Sequence, residues 1–196
     1  MKTIKNNFAK LSFILTCIFS VSGFSQTQLA FAPAKVDFDA YEKLVSEVKE
    51  HRKARLVNLQ TFQKMAKEEK VIVLDTRSDA MYASKHVKGA IHLNFADFTQ
   101  SNLAKIIPSA DYKILIYCNN NFDKDEINFA SKAYIPKFTN NEQKALTLAL
   151  NIPTYINLYG YGYKNVYELN ELISVYSNMV EFEGTSVYKK AGKGSN

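Results

Sequence analysis

The chain is poor in the residues that break regular structure, with seven Gly and four Pro in 196 positions. So few of them exclude a collagen-like or low-complexity chain. With 46% apolar and 13% aromatic residues, the composition is that of a packed globular protein. Arginine is scarce as well: Arg52, Arg55 and Arg77 are the only three, and no Lys/Arg run is interleaved with aromatics, so nucleic-acid binding has no support. Histidine is limited to His51, His86 and His92, none of which forms a spaced pair with a Cys or a carboxylate cluster, so no metal site is expected. The length allows one domain with a sizeable core and is short for two.

Acid is missing from the first 25 residues, where Lys2, Lys5 and Lys10 form a positive segment followed by the apolar run Leu11 to Val21. That run is too short to span a bilayer, and Gly23-Phe24-Ser25 places small residues where a signal peptidase cuts. Residues 1–25 are therefore expected to be a signal peptide, cleaved after Ser25. An uncleaved anchor is disfavoured because Thr16, Ser20 and Ser22 interrupt the apolar run, and lipidation at Cys17 is weakened by the bulk of Thr16. Without the leader the formal charge falls from +6 to near +3. The expected product is exported to the periplasm or outside the cell, with no membrane span after cleavage. In that oxidising setting its one remaining cysteine, Cys118, has no internal disulfide partner. It is then a free thiol, an intermolecular partner or a reactive centre.

Residues 26–36 read as a linker, 37–180 as the domain and 181–196 as a tail. Asp37 caps a first helix in which Phe38, Tyr41, Leu44, Val45 and Val48 recur at helical spacing. Leu56-Val57 is an expected edge strand, and Asn58 caps a second helix through Met65 to Glu68. Val71 to Leu74 and Ile114 to Tyr117 are continuous apolar runs, the mark of strands covered on both faces. Between them lie an expected helix at Ser78 to Lys85, a turn at Gly89, a short strand at Ala90 to Leu93 and a helix at Ala96 to Ala104. Beyond Cys118 the pattern is irregular through Pro136. A helix is expected at Glu142 to Leu150, another at Thr154 to Tyr159 with Pro153 in its first turn, a strand at Asn165 to Leu169 and a closing helix at Leu172 to Tyr176. Tyr159, Tyr161 and Tyr163 read as packing or rim. Strands alternating with helices predict an α/β domain with right-handed crossovers and a mostly parallel sheet.

Four ordered stretches resemble the rhodanese-like domains: Leu74-Asp75-Thr76-Arg77, His86-Val87-Lys88-Gly89-Ala90, Tyr117-Cys118, and Gly162 through Leu169. The resemblance covers roughly residues 56–175. It implies a mostly parallel five-stranded sheet with helices on both faces, and a cysteine on a loop at the carboxyl end of a central strand. It also implies an activity, sulfurtransfer through a persulfide on Cys118, with a small sulfur-containing donor or acceptor, or a thiol protein, as partner. No cofactor is implied. The related cysteine phosphatases are excluded, since they clamp phosphate with a loop arginine and no Arg follows Arg77.

A loop that leaves a strand's carboxyl end turns backbone N–H groups toward one point and favours an anion there, which suits a nucleophilic thiolate at Cys118. The loop itself is Asn119, Asn120, Asn121, Phe122, Asp123 and Lys124. It departs from the family pattern, which commonly has Arg or Lys beside the cysteine and a Gly. Asn121 is expected to take the left-handed conformation in place of Gly, the amides to donate to a bound sulfur or oxygen, and Lys124 to be the nearest cation, offset by Asp123 and Asp125. Lys85 stands where the family has Gly before His86, and Met81 where it often has an acid. Asp75, Arg77 and His86 are supporting residues, with Arg77 tying strand ends together. Residues 122–141 form an insertion in which Phe122, Phe129, Tyr134 and Phe138 are expected to cover Cys118. Removing Asp125 to Pro136 is then expected to alter the substrate range and to leave the domain folded. A catalytically weak module that binds a partner protein in the cell envelope is the alternative to an enzyme.

Overall fold

The computed structural model describes residues 31–134 and 146–187. The expected signal peptide, Phe138, positions 142–145 and the stretch from Lys189 lie outside the described residues. Residues 31–36 have no regular secondary structure, and the described residues from Asp37 onward form a compact unit.

Helix α1 spans Phe38–Lys53, with the Asp37 side chain accepting from the Ala40 N–H at 2.9 Å, as the sequence predicts. Strand β1 (Leu56–Val57) follows. Asn58 then caps α2 (Leu59–Met65), accepting from the Thr61 N–H. Strand β2 (Val71–Asp75) leads to α3 (Asp79–Ser84), capped by Ser78, and to the short strands β3 (His86–Val87) and β4 (Ile91–His92). Gly89 makes the turn between those two at a φ of 77°. The single helix expected at Ala96 to Ala104 is two pieces. A 3-10 turn at Phe95–Asp97 ends at Phe98, and α4 (Gln100–Ile106) starts afresh from a Thr99 cap. The threonine hydroxyl accepts from the Asn102 N–H, and a capping side chain of that kind resets the helix start.

The later elements are β5 (Lys113–Tyr117), β6 (Phe122–Asp123), β7 (Ala133–Tyr134), β8 (Leu146–Thr147), α5 (Asn151–Gly160), β9 (Val166–Leu169), β10 (Ile173–Ser174) and β11 (Phe182–Glu183). Five strands form one parallel sheet in the order β1-β9-β5-β2-β4, so β5 is central. Its register sets Val71 against Lys113, Asp75 against Tyr117, and Ile116 against Glu168.

Three expectations fail toward the carboxyl end of the chain. Leu146 and Thr147 pair antiparallel with Tyr134 and Ala133, where the middle of a helix was expected. Ile173 and Ser174 form a strand parallel to Phe122 and Asp123, where a closing helix was expected. Five apolar-rich residues cannot distinguish one helical turn from a short strand, and the pairing partner decides. The domain also continues past 180. Phe182 and Glu183 pair with Val87 and His86, and Ser186 donates to the Ser84 carbonyl at 2.8 Å. Gly184 makes this possible, since a Cβ there would meet the Ser84 carbonyl oxygen at 2.4 Å.

The strand alternation sorts two cores. Ile72, Leu74, Ile114, Ile116 and Val166 face Val48 of α1, Leu103 of α4 and Tyr155, Ile156 and Leu158 of α5. Val71, Val73, Leu115, Tyr117 and Leu169 face Leu59 and Phe62 of α2, with Phe122, Phe129 and Phe182. Even-numbered residues of β5 therefore point to the α1/α5 side and odd-numbered ones to the α2 side.

The odd side ends in a buried polar knot. Asp75 is wholly buried and Arg77 is 2% exposed. Arg77 donates to Asp75 through Nε and Nη2, and to the carbonyls of Asn128 at 2.9 Å and Lys85 at 2.6 Å. Burial disfavours the guanidinium's charge, but the hydrogen bond and charge of Asp75, with Tyr117 and Cys118 adding to them, together hold the arginine's pKa above its ordinary value. The expectation that Arg77 ties strand ends together holds. Arg77→Met removes one member of this buried pair and is expected to lower stability by about 3–5 kcal/mol in urea unfolding. A loss under about 1 kcal/mol would contradict the role given to it here.

Candidate functional site at the carboxyl end of β5

Cys118 is the first residue after β5, at an even position, and lies within electrostatic reach of Arg77. It is 1% exposed. The Leu150 N–H donates to its Sγ at 3.2 Å. Leu150 is the N-cap of α5 and has no side-chain cap bond; its own carbonyl accepts from the Thr154 N–H. The first N–H groups of a helix have no partner inside it, and one of them is spent here on sulfur. Pro153 in that first turn has no N–H to leave unpaired.

The asparagines after Cys118 form a 3-10 turn, Asn119–Asn121. Asn121 is committed on both ends of its amide: Oδ1 accepts from the Cys118 N–H at 2.8 Å, and Nδ2 donates to the carbonyls of Leu169 and Glu171. It ties the end of β5 to the end of β9. It does not take the left-handed conformation; Lys124 does, at a φ of 68°. Asn120 accepts from the Lys132 N–H at 2.7 Å. Asn119 is buried with its Oδ1 unpartnered. Lys124 is exposed, with its Nζ 3.9 Å from Asp123.

The aromatics expected to cover Cys118 take different places. Phe122 and Phe129 are core residues on the α2 side, with ring centroids 4.7 Å apart, and Phe129 lies 4.6 Å under the Arg77 guanidinium. Tyr134 is 57% exposed, and Phe138 lies outside the described residues. The expected tolerance to removing Asp125 to Pro136 is corrected. Asn128 supplies a carbonyl to Arg77, and Asp125 pairs with the largely buried Lys85 at 2.7 Å. Burial works against the Asp125 charge, but the bonds from Lys85 and Asn128 outweigh it and hold its pKa below the ordinary carboxylate value. Lys85, standing where a Gly was expected, is thus an anchor for this segment.

His86 neighbours the knot, next to Val87, whose N–H donates to the Tyr117 hydroxyl. Its Nδ1 lies 2.7 Å from the Tyr82 carbonyl and its ring stacks on Tyr82 at 3.9 Å. Tyr117 is a further member of the knot. Burial raises its pKa far above the ordinary value, with the Asp75 charge adding to the effect, so it stays a donor to Asp75. Tyr159 and Tyr163 pack against the α1/α5 core and Tyr161 donates to the Phe98 carbonyl, which agrees with packing and rim. Among the described residues no group of three His, Cys, Asp or Glu could hold a metal ion.

Sequence reading missed Leu150, which meets the Cys118 sulfur, and the bonded pair Asn151 and Glu168 at the start of α5. One signal was available. Glu168 interrupts the apolar strand Val166–Leu169, and a carboxylate buried in a sheet has to be paired.

A family model described as "Rhodanese-like domain" matches residues 58–178. Among solved structures, the crystal structure of the BH2092 protein from Bacillus halodurans aligns at 17% identity with a TM-score of 0.44, covering 76% of this chain and 86% of that one. No curated protein matches.

The Asn121 clamp makes a test. Asn121→Leu strands the Leu169 and Glu171 carbonyls and is expected to cost about 2–3 kcal/mol in chemical denaturation. It is also expected to raise the rate at which iodoacetamide labels Cys118 in the folded protein. Unchanged labelling would mean that the clamp does not hold the thiol in place.

Proposed function

We propose that this chain, which belongs to the rhodanese-like domain family, is a sulfurtransferase that carries sulfane sulfur on Cys118. Membership places it among sulfurtransferase-like proteins. The finer reading is carried by one observation: the Cys118 sulfur ends the central strand and receives a backbone N–H from the start of α5. An N–H fixed there meets the electron pair that returns to the Cys118 sulfur when a persulfide is broken.

The reaction runs in two displacements. The Cys118 thiolate attacks a sulfane sulfur of a polysulfide; the new S–S bond forms as the donor's own S–S bond breaks, and the electron pair leaves with the shortened donor. An acceptor thiolate then attacks the outer sulfur of the persulfide, and the pair returns to the Cys118 sulfur. The loop's one cation, Lys124, is exposed with its Nζ 3.9 Å from Asp123, which counts against the dianion thiosulfate as donor. The partner is a small sulfur compound or a thiol protein, and the place of action is the cell envelope or outside it. The N-terminus of the protein recovered from envelope extract is expected to be Gln26; an intact Met1 terminus would overturn export.

A second reading, a rhodanese-like module that binds a partner without turnover, is favoured by the 1% exposure of Cys118. Mass spectrometry after polysulfide treatment separates the two. The enzyme gains the mass of one sulfur on Cys118 and passes it to added thiol, while Cys118→Ser gains none. A protein that takes up no sulfur, yet captures the same envelope partner whether unaltered or carrying Cys118→Ser, is the module.

A further inference from the structure

The Leu150 N–H that meets Cys118 is only as well placed as α5, and α5 is fastened by α1, which precedes the stretch matching the family. Near the carboxyl end of α5, Gly160 lies under Leu44 so closely that a Cβ would come 2.9 Å from Leu44 Cδ2. Midway, His51 Nδ1 is 2.9 Å from the Tyr155 hydroxyl, which itself donates to the Val166 carbonyl at 3.0 Å. The hydroxyl has one proton to give, so His51 carries the proton on Nδ1 and donates. Burial, with Arg55 and Lys164 nearby, lowers the His51 pKa and keeps the ring neutral.

At the amino end of α5 the fastening is ionic. Arg52 donates through Nε and Nη2 to both oxygens of Glu168, at 2.5 and 2.6 Å. Glu168 Oε1 also accepts from Nδ2 of Asn151, the first residue of α5. Glu168 is 2% exposed. It lies opposite Ile116, on the same face as Cys118 two residues on; strand spacing puts the two Cα atoms roughly 8 Å apart. An unpaired carboxylate at that range would oppose a negative sulfur, and the bidentate guanidinium offsets it.

We propose that Arg52, Glu168 and Asn151 are positioning residues for Cys118: the chain from α1 through Glu168 to Asn151 holds the Leu150 N–H against the sulfur. The proposal rests on the sulfur-carrier reading. It makes α1 part of the sulfur-handling unit, because a hydrogen-bond donor stabilises developing charge only when its place is set beforehand.

The test uses the full chain, isotopically labelled, before and after polysulfide loading, with uptake followed by mass spectrometry and the Leu150 amide followed by NMR. In the unaltered protein the Leu150 resonance is expected to move when Cys118 gains sulfur. In Asn151→Leu and Arg52→Met that response is expected to vanish and loading to slow by about tenfold to a hundredfold. Arg52→Lys, which keeps charge but not the planar fork, is expected to fall between. Leu103→Ala, a core cavity in α4, controls for lost stability and is expected to keep both the response and the rate. Should Arg52→Met not fold, Asn151→Ser removes the amide with less disturbance. Variants that load and respond like the unaltered protein would overturn the proposal, as would a Leu103→Ala protein that loses both to the same degree. If the unaltered protein takes up no sulfur, the carrier reading fails. The positioning chain is then judged by iodoacetamide alkylation of Cys118 with the same Leu150 resonance, which Asn151→Leu and Arg52→Met must still change.

Discussion

Arg77 is a cation with almost no access to water, and its environment has to satisfy it. Four of its five N–H groups are taken up, by Asp75 and by the carbonyls of Lys85 and Asn128. Tyr117 adds a donor to the same carboxylate. The consequence is topological. One guanidinium fastens the end of β2, the turn after α3 and the segment after β6, and the Tyr117 bond brings in the end of β5. Removing any of these pieces would leave a buried charge or a buried carbonyl uncompensated, a cost of several kcal/mol against a typical stability of about 5–15 kcal/mol.

The period-two geometry of β5 divides labour around this knot. Odd residues Leu115 and Tyr117 belong to the packed side with α2 and the phenylalanines, where nothing needs to move. Even residues Ile114 and Ile116 lead to Cys118 on the side of α1 and α5. A second, part-buried ion pair, Arg52 with Glu168, serves that side as the first serves the other. One pair closes the scaffold, and the other reaches the start of the helix whose N–H meets the sulfur.

Much of the framework was legible because it depends on local pattern. Caps at Asp37 and Asn58, apolar strands before Asp75 and Cys118, and the alternation that forces a parallel sheet follow from side-chain chemistry and spacing. The short pieces were not. Thr99 restarted a helix that periodicity ran together, and Ile173-Ser174 became a strand because Phe122-Asp123 offered backbone partners. The asparagine loop was legible in place but not in detail. Three consecutive amides look alike in sequence, while the folded chain commits Asn121 to β9 and Asn120 to Lys132, and leaves Asn119 Oδ1 unpartnered.

The amino-acid sequence alone determined the fold class, the family resemblance and the residue on which sulfur chemistry would rest, because each is written in runs of a few adjacent residues. Only the tertiary structure decided what surrounds that residue. Leu150 is 32 positions beyond Cys118, Glu168 is 50 beyond it and Arg52 is 66 before it. They meet because parallel crossovers bring the ends of β5, β9 and α1 to the start of α5. No local pattern encodes that meeting, since it depends on helices and strands packing across the sheet.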